Sequence, residues 1–333
     1  MRRLLRVLLR IVAVVAALVL VFFAIRFVNG LVFGTKPAAD PTNLALYPTD
    51  QPGMKVEHVT GKYLNGFHLV PDQIKHKGVV VSFGGSDGGP GWERALLLAQ
   101  QGYEVLGLFF FGMPNQQRLL SGVPLEFFGE AIDYLDAHAK SPRPLTVIGI
   151  SKGSELSLVL ANHYPRIDNL VLYTPSRYVY QGLDYAQAAS SWTFGGAELP
   201  YVNFRYASAG ATASMMAALT FNYPARLRDT FVTATAADPN AAAAKIGLDK
   251  LKGHLLMFAG DEDAMWPGEV AAREIAAARP NLTEAVVYEG AGHLFFTGPV
   301  AGPYDVGGSV QANGLAEAAS QAKLLASLAA WHK

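Results

Sequence analysis

Two serines lie in the pattern Gly-x-Ser-x-Gly, which can hold a serine hydroxyl at a tight turn where it acts as a nucleophile. Ser151 is the central residue of GISKG (149–153), and Ser86 is the central residue of GGSDG (84–88). Ser151 follows an apolar strand-like run and opens a segment of helical periodicity, which is the context that this turn requires. Ser86 is followed instead by more glycines and by Pro90, which do not start a regular helix. The sequence predicts Ser151 as the nucleophile, with Ser86 or a purely structural turn as the alternatives.

A nucleophilic serine also needs backbone N–H groups that stabilise the negative oxygen formed during acyl transfer. The amide of Lys152 is one predicted donor, because this residue follows the serine at the start of a helix. The glycine-rich turn after an early strand is predicted to supply the second donor, from Gly85 or Ser86. The side chain of Lys152 is interpreted as a solvated group at the helix start.

The general base is sought among three of the histidines that follow Ser151 in the sequence, His254, His293 and His332. His293 comes just after a strand-like run, in a loop at the carboxyl end of that strand, where a base should lie. His254 begins an apolar strand and is interpreted as structural. His332 is the penultimate residue and is expected to fray. His293 is therefore the predicted base.

The acid that orients the base is expected after the strand-like run that precedes the base's own strand. Three carboxylates follow that run, Asp261, Glu262 and Asp263. Asp263 is preferred, because it lies far enough past the strand end to turn back towards His293. Asp261 and Glu262 stay open as alternatives, although solvation or capping of a following helix also explains them.

Alternating strand-like and helix-like segments predict the elements that position these residues. The strand-like runs are 79–83, 105–110, 145–150, 170–173, 255–258 and 285–288, and the helix-period segments are 92–101, 125–138, 152–163 and 268–278. This alternation predicts an α/β fold, in which a mostly parallel central sheet carries helices on both faces. Residues 55–333 are predicted to form this catalytic domain, and the proline-rich residues 35–54 are predicted to form a linker.

The alternation stops over residues 176–245, which are rich in Tyr, Ala, Ser and Gly. This stretch is too long to be a loop in a compact domain, so it is predicted to be an inserted cap or lid. A helical excursion without a role in binding is the alternative.

Residues 1–34 are predicted to form an N-terminal hydrophobic helix that serves as a membrane anchor or signal segment. Residues 11–25 are an uninterrupted apolar run after four arginines, and apolar residues resume at 27–33. Cleavage as a signal peptide is an alternative, but the small-residue sites are poor or distant, and a soluble amphipathic helix is a third possibility. Because the arginines stay in the cytoplasm, an anchor places the catalytic domain outside it, and cleavage gives a secreted protein.

Composition excludes several classes of partner and site. The formal net charge is zero over 333 residues, but six basic residues precede Asp40, so the rest has 21 basic against 27 acidic residues. A basic leader on a mildly acidic body argues against a nucleic-acid partner. The absence of Cys excludes disulfides, Cys-ligated metals and a thiol nucleophile. No metal or organic cofactor is predicted.

Several of these motifs resemble those of the type I acyl-CoA thioesterases and the bile acid-CoA:amino acid N-acyltransferases. The resemblance lies in GISKGSE (149–155), which is similar to the family's GISKGAE turn, in Gly260-x-x-Asp263-x-x-Trp266, and in Gly292-His293. It covers about residues 78–333, and it implies an α/β-hydrolase fold that acts on acyl thioesters through Ser151, Asp263 and His293. The acyltransferase branch uses a cysteine, so Ser151 favours hydrolysis over transfer to an amine. Only residues 37–78 precede the first sheet strand, so the β-sandwich of the family's eukaryotic members is expected to be missing or reduced.

The sequence therefore predicts a serine hydrolase that cleaves acyl thioesters through an acyl-enzyme intermediate. Two features keep other substrates open. A body outside the cytoplasm would not meet acyl-CoA, and a body with net charge −6 offers no basic field for this polyanion. A carboxylesterase or lipase that acts on non-CoA esters is the alternative, and a non-catalytic binding protein with the same fold is a further one.

Overall fold

The computed structural model describes residues 2–34, 39–184 and 186–333. Its strands are β1 (Met54–Thr60), β2 (Asn65–Pro71), β3 (Val79–Ser82), β4 (Glu104–Leu108), β5 (Val123–Pro124), β6 (Leu145–Ile150), β7 (Asn169–Tyr173), β8 (Trp192–Phe194), β9 (Ala197–Glu198), β10 (Leu255–Gly260), β11 (Thr283–Tyr288), β12 (Val300–Ala301) and β13 (Tyr304–Asp305). Its helices are α1 (Arg2–Phe33), α2 (Trp92–Gln100), α3 (Phe127–His138), α4 (Lys152–His163), α5 (Ala209–Phe221), α6 (Arg228–Ala237), α7 (Ala241–Ala244), α8 (Gly268–Ala278) and α9 (Val310–Trp331).

Eight of these strands form one sheet in the order β1-β2-β4-β3-β6-β7-β10-β11. The six strands from β4 to β11 pair in parallel, whereas β1 and β2 form an antiparallel pair at one edge. Every residue of β6 is buried, which explains why its sequence is apolar without alternation. Apolar cores cover both faces of the sheet, so the predicted α/β fold with a mostly parallel sheet is confirmed.

The predicted helix-period segments coincide with α2, α3, α4 and α8 to within a few residues. The β1–β2 hairpin was not among the predicted strands. Residues 54–71 form this hairpin, in which Met54 lies opposite Pro71. Buried and exposed residues alternate along the first part of β1. An edge strand with one solvated face gives a weaker apolar pattern than a central strand.

Residues 176–245 contain β8, β9, α5, α6 and α7, and Tyr185 within them lies outside the described residues. Several of their rings, including those of Tyr180 and Phe231, pack into a small apolar core separate from the cores on the two sheet faces, whereas Trp192 belongs to one of the sheet-face cores. Trp266, next to the loop that follows β10, belongs to this core. The insertion therefore rests on the end of the sheet where the candidate residues lie. Its role as a cap stays a prediction.

The region before the sheet contains α1 and the predicted linker. Helix α1 is long and apolar enough to cross a membrane, and its apolar window is not buried against the rest of the chain. Residues 35–38 of the predicted linker lie outside the described residues. Tyr47, later in the linker, is buried against the rings of Phe67, Trp92 and Phe109. The second half of the linker is therefore docked on the domain.

The expectation that His332 frays is wrong. This histidine is buried, its Nδ1 donates to the carbonyl oxygen of Lys77 at 2.6 Å, and its Nε2 accepts from the hydroxyl of Thr146 at 2.7 Å. Its backbone carbonyl also accepts from the amide of Lys77 at 3.2 Å. The terminal helix α9 packs on the sheet and carries His332 to the end where β3 and β6 begin, a long-range contact that chain position does not reveal.

Because burial lowers the pKa of His332 to about 4, protonation of this side chain should oppose folding in mild acid. In the unfolded chain the imidazole titrates near its ordinary pKa of about 6.5. The unfolded state therefore binds the extra proton first, and stability should fall as the pH drops from about 6.5 towards 4, by up to about 3 kcal/mol, and stay level above that range. Urea unfolding in detergent at several pH values measures this loss.

The matched variant is His332→Gln, which keeps a hydrogen-bonding side chain but does not titrate. Its unfolding free energy should lack this part of the acid-induced loss. Equal pH slopes for the two proteins would show that His332 is not the titrating group.

Candidate active site

Ser151 lies on the turn that joins β6 to α4, with backbone angles of φ 54° and ψ −121°. A non-glycine residue rarely adopts positive φ, so the surrounding packing must hold this conformation. A Cβ on Gly149 would overlap the carbonyl oxygen of Gly153, and a Cβ on Gly153 would overlap that of Gly84. The two flanking glycines of the motif are thus required by close backbone contacts, and they allow the serine side chain to project from the end of the sheet.

The structure brings together the three residues predicted as nucleophile, base and acid. His293 Nε2 lies 2.8 Å from Ser151 Oγ, and His293 Nδ1 lies 2.8 Å from Asp263 Oδ2. Asp263 and His293 are both buried. A carboxylate accepts hydrogen bonds only, so Nδ1 donates to Asp263 and Nε2 is left to accept from the serine hydroxyl. This arrangement can remove a proton from the hydroxyl as it attacks a carbonyl carbon.

The loops that hold Asp263 and His293 are fixed by neighbouring backbone. The second carboxylate oxygen of Asp263 accepts from the amides of Met265 at 2.8 Å and Trp266 at 3.1 Å. The amide of His293 donates to the carbonyl oxygen of Val306 at 2.7 Å. Both groups are therefore held in place before any substrate is bound.

Asn313, on α9, supports the histidine loop, and its role was not predicted from the sequence. Its side-chain oxygen accepts from the amide of Gly292 at 2.8 Å, and its side-chain nitrogen donates to the carbonyl oxygen of Thr297 at 2.9 Å. Its side chain is buried. The available signal was a lone amide side chain on the inner face of a helix, which needs hydrogen-bond partners when buried.

The rival candidates occupy other positions. Asp261 is exposed and accepts from the amide of Gly290 at 2.7 Å, so it shapes the loop before His293. Glu262 is exposed. The ring of His254 stacks on that of Trp331 with centroids 5.0 Å apart, which agrees with the structural interpretation of this residue.

Three peptide N–H groups near Ser151 are candidates for holding an oxyanion. Lys152 opens α4 directly after the serine. Gly85 lies against the serine, since a Cβ built on it would be 3.5 Å from Ser151 Cβ, but its amide already donates to Asp87 Oδ1 at 2.8 Å. The amide of Ser86 has no acceptor within the described ranges. Of the two predicted second donors, Gly85 lies against Ser151 but its amide is occupied, whereas the amide of Ser86 is available.

The interpretation of the Lys152 side chain as solvated is wrong. The side chain is 3% exposed, and its ammonium lies 2.9 Å from Glu155 Oε2 and 2.8 Å from Ser191 Oγ. Glu155 is fully buried and also accepts from the indole N–H of Trp192 at 2.8 Å and from the amide of Tyr180 at 3.3 Å. The insertion covers the start of α4, which removes both charges from water.

This buried pair joins the insertion to the helix that begins at the serine. Burial lowers the pKa of the Lys152 ammonium and raises the pKa of the Glu155 carboxyl, while the attraction between the two charges opposes both shifts. Neither charge can be removed alone without leaving the other unpaired in a dry environment. The Lys-x-x-Glu spacing was a visible signal, since residues three apart share one helix face.

Comparison with known proteins shows which family this chain is similar to. Residues 123–301, more than half of the chain, match the family model described as BAAT / Acyl-CoA thioester hydrolase C terminal. The chain belongs to this family. The resemblance inferred from the turn, acid-loop and histidine-loop motifs is therefore confirmed.

Two curated relatives illustrate the extent of the similarity. Human acyl-coenzyme A thioesterase 6 is 36% identical over 124 residues, which are 37% of this chain and 29% of that protein. Mouse bile acid-CoA:amino acid N-acyltransferase is 27% identical over 252 residues, which are 73% of this chain and 54% of that protein. Each match spans less than two thirds of the relative's own length.

Among solved structures, an esterase from Pyrococcus furiosus is similar with a TM-score of 0.52 and 14% sequence identity. The match covers 90% of this chain and 96% of the esterase. At this identity the likeness concerns the fold alone, which is the α/β-hydrolase fold expected from the motifs.

We expect Glu155→Gln to lower the free energy of unfolding of this protein strongly. The substitution leaves the buried Lys152 ammonium without a counter-charge, which costs about 3–5 kcal/mol. The matched double variant Lys152→Met with Glu155→Leu removes both charges and keeps the volume, so it should stay close to the wild type in stability. Urea unfolding in detergent compares the three proteins.

A single variant within about 1 kcal/mol of the wild type would contradict this expectation. So would a double variant as unstable as Glu155→Gln, because the cost would then come from lost packing and not from the unpaired charge.

Proposed function

We propose that this chain is a serine hydrolase that cleaves acyl thioesters through Ser151, His293 and Asp263. The observation that carries the proposal is the continuous pair of 2.8 Å hydrogen bonds from Asp263 to His293 and from His293 to Ser151, on a strained strand-to-helix turn. Membership of a family named for acyl-CoA thioester hydrolysis supports thioesters as the substrate class.

In the proposed mechanism Ser151 Oγ attacks the acyl carbonyl while His293 Nε2 takes the hydroxyl proton. Asp263 holds the imidazole in the tautomer that accepts at Nε2 and stabilises the imidazolium that forms. The amides of Lys152 and of Ser86 or Gly85 donate to the tetrahedral oxyanion. His293 then gives its proton to the leaving thiolate, which completes the acyl-enzyme.

A water molecule then attacks the acyl-enzyme in the second half of the reaction. His293 removes a proton from this water and returns it to Ser151 Oγ as the carboxylic acid leaves. The serine nucleophile favours this hydrolysis over transfer to an amine, since the acyltransferase branch of the family uses a cysteine.

A second candidate function is cleavage of esters that do not carry CoA, as in a carboxylesterase or lipase. The observation in its favour is charge: residues 40–333 carry 21 basic against 27 acidic groups, which gives no net attraction for a polyanion. The same triad would serve both reactions, since only the leaving group differs.

We also propose that α1 is an uncleaved membrane anchor and that residues 176–245 act as a cap over the site. The length and apolar character of α1 support the anchor, and cleavage as a signal segment would give a secreted form. The basic residues at its start favour an extracytoplasmic catalytic domain. Support for the cap comes from its contacts with Lys152 and Glu155 beside the nucleophile.

Ser151→Ala should abolish labelling by a fluorophosphonate probe and lower kcat for acyl-CoA hydrolysis by at least about 10³-fold, because no other nucleophile can form the acyl-enzyme. Gel-based labelling and thiol release measure the two effects. Ser86→Ala should keep the label, since only the backbone of residue 86 is assigned a role. Persistent labelling of Ser151→Ala would refute the proposed nucleophile.

Substrate class is tested by comparing wild-type kcat/KM for acyl-CoA and for an aryl ester of the same chain length. Higher kcat/KM for the thioester is the expected outcome. A strong preference for the aryl ester would favour the second candidate function and leave the triad assignment intact.

Asp263→Asn should lower kcat by about 10²–10⁴-fold, because an amide in place of the carboxylate no longer fixes the tautomer of His293 or stabilises its charged form. The matched control is Asp261→Asn, which keeps an oxygen to accept from Gly290 and should stay near the wild type in kcat. Steady-state kinetics distinguish them, and a larger loss in the control would assign the acid to Asp261.

A further inference from the structure

The C-terminal end of α5, within the insertion, is bound by polar side chains of α1. Arg26 donates to the carbonyl oxygen of Thr220 and lies 3.4 Å from that of Leu219. Asn29 donates to the carbonyl oxygen of Phe221 at 2.8 Å. The last carbonyls of a helix have no partner within the helix and carry its negative dipole end, so a guanidinium is well suited to them.

Apolar contacts accompany these hydrogen bonds. The rings of Phe22 and Phe221 meet edge to face with centroids 5.7 Å apart. Phe22 and Arg26 are four residues apart and lie on the same side of α1. A defined face of the predicted anchor therefore meets the end of α5.

The surface of α5 is uncharged and largely unprotected from solvent. Residues 206–225 contain no Asp, Glu, Lys or Arg. Met216 is 54% exposed and Leu219 is 48% exposed. Surface helices of soluble proteins carry charged residues on their outer face, so this composition indicates an apolar neighbour.

The position of Arg26 along α1 gives a depth for α5. Arg26 precedes Phe33, the last residue of the helix, by seven residues, which is about 10 Å of helix rise. Residues 11–33 are apolar except for Arg26 and Asn29, whose side chains bond to the carbonyls of α5, and they are long enough to cross a hydrocarbon core of about 30 Å. The end of α5 then lies about 10 Å below the end of α1, near the depth of about 5–10 Å that interfacial helices reach.

We propose that α5 is a second membrane contact, which lies in the interfacial layer of the bilayer that α1 crosses, on the side of the catalytic domain. Met216 and Leu219 face the acyl chains of the lipid. The partner is lipid and not protein, because α5 is held against a helix whose exposed surface is apolar over residues 11–25.

This placement brings the candidate active site close to the lipid. After α5 the chain runs directly to Leu227 and Arg228, whose amides donate to the carbonyl oxygen of Ala264 at 3.1 and 3.0 Å. The guanidinium of Arg228 donates to the carbonyl oxygen of Asp263 at 2.9 Å. Acyl chains would reach Ser151 from the lipid phase. This consequence rests on the proposed hydrolase function, whereas the membrane contact itself does not.

The absence of Cys makes a direct test possible, since one introduced cysteine carries one probe. The environment-sensitive fluorophore NBD is attached to Met216→Cys or Leu219→Cys in the full chain, reconstituted in phosphatidylcholine vesicles. The matched control is Leu282→Cys: Leu282 is 52% exposed and directly precedes β11, at the opposite end of that strand from the His293 loop. Probes at 216 and 219 should emit at shorter wavelength and be quenched severalfold more strongly by nitroxide lipid than the probe at 282.

Equal emission and quenching at all three positions would overturn the proposal. Shielding at 216 and 219 that grows with the protein-to-lipid ratio would overturn it as well, because the neighbour would then be a second copy of the chain. Adding Leu219→Glu to Met216→Cys should return the probe to water while the chain still floats with the vesicles, and unchanged shielding in that variant would also count against it.

Two further readouts separate this proposal from the others. If the chain does not float with vesicles, the proposed anchor and the proposed membrane contact of α5 are both wrong. If the quenching pattern is as expected but the chain does not hydrolyse a water-soluble ester, the result counts against the proposed function alone.

Discussion

The candidate site depends on the close approach of backbone segments around Ser151. The turn after β6 can hold positive φ at the serine only because α4 begins against the turn that follows β3, where Gly153 meets the carbonyl of Gly84 without an intervening side chain. The same approach places the glycine-rich turn beside Ser151, so that one constraint positions both its hydroxyl and the peptide groups that could hold an oxyanion. A methyl group at either flanking glycine would push these segments apart.

A second constraint acts on the insertion through charge. The pair formed by Lys152 and Glu155 is buried at a large desolvation cost, which the mutual attraction and the hydrogen bonds from Ser191 and Trp192 offset. Such a pair adds little net stability. It does restrict the position of the insertion on α4, because a shifted insertion would leave a buried charge without its hydrogen-bond partners. The insertion is therefore fixed next to Lys152, the residue that follows Ser151, where a cap would have to lie to shape an acyl pocket.

The sequence was sufficient for the features that follow from periodicity along the chain. Ser151, Asp263 and His293 follow the parallel strands β6, β10 and β11, so the strand pattern brings them to the same end of the sheet, although only β6 and β10 are fully buried. Features created by contacts between distant segments were missed. The side chain of Lys152 was read as solvated because its cover, Ser191, lies 39 residues further on, and His332 was expected to fray because its partner Thr146 is 186 residues away. Local patterns carry no information on which segment will cover a given residue.

The charge of the chain helps to explain how the domain could meet a membrane. Four arginines that attract anionic lipid headgroups lie within the first ten residues, at the far end of α1, while the chain from Asp40 onwards has net charge −6. A mildly acidic body next to an anionic leaflet is repelled, so an electrostatic contact on the catalytic side would be unfavourable. An uncharged surface such as residues 206–225 avoids this repulsion and gains from burial of apolar side chains. The polyanion CoA meets the same unfavourable field in water, whereas an acyl chain that arrives through the bilayer does not.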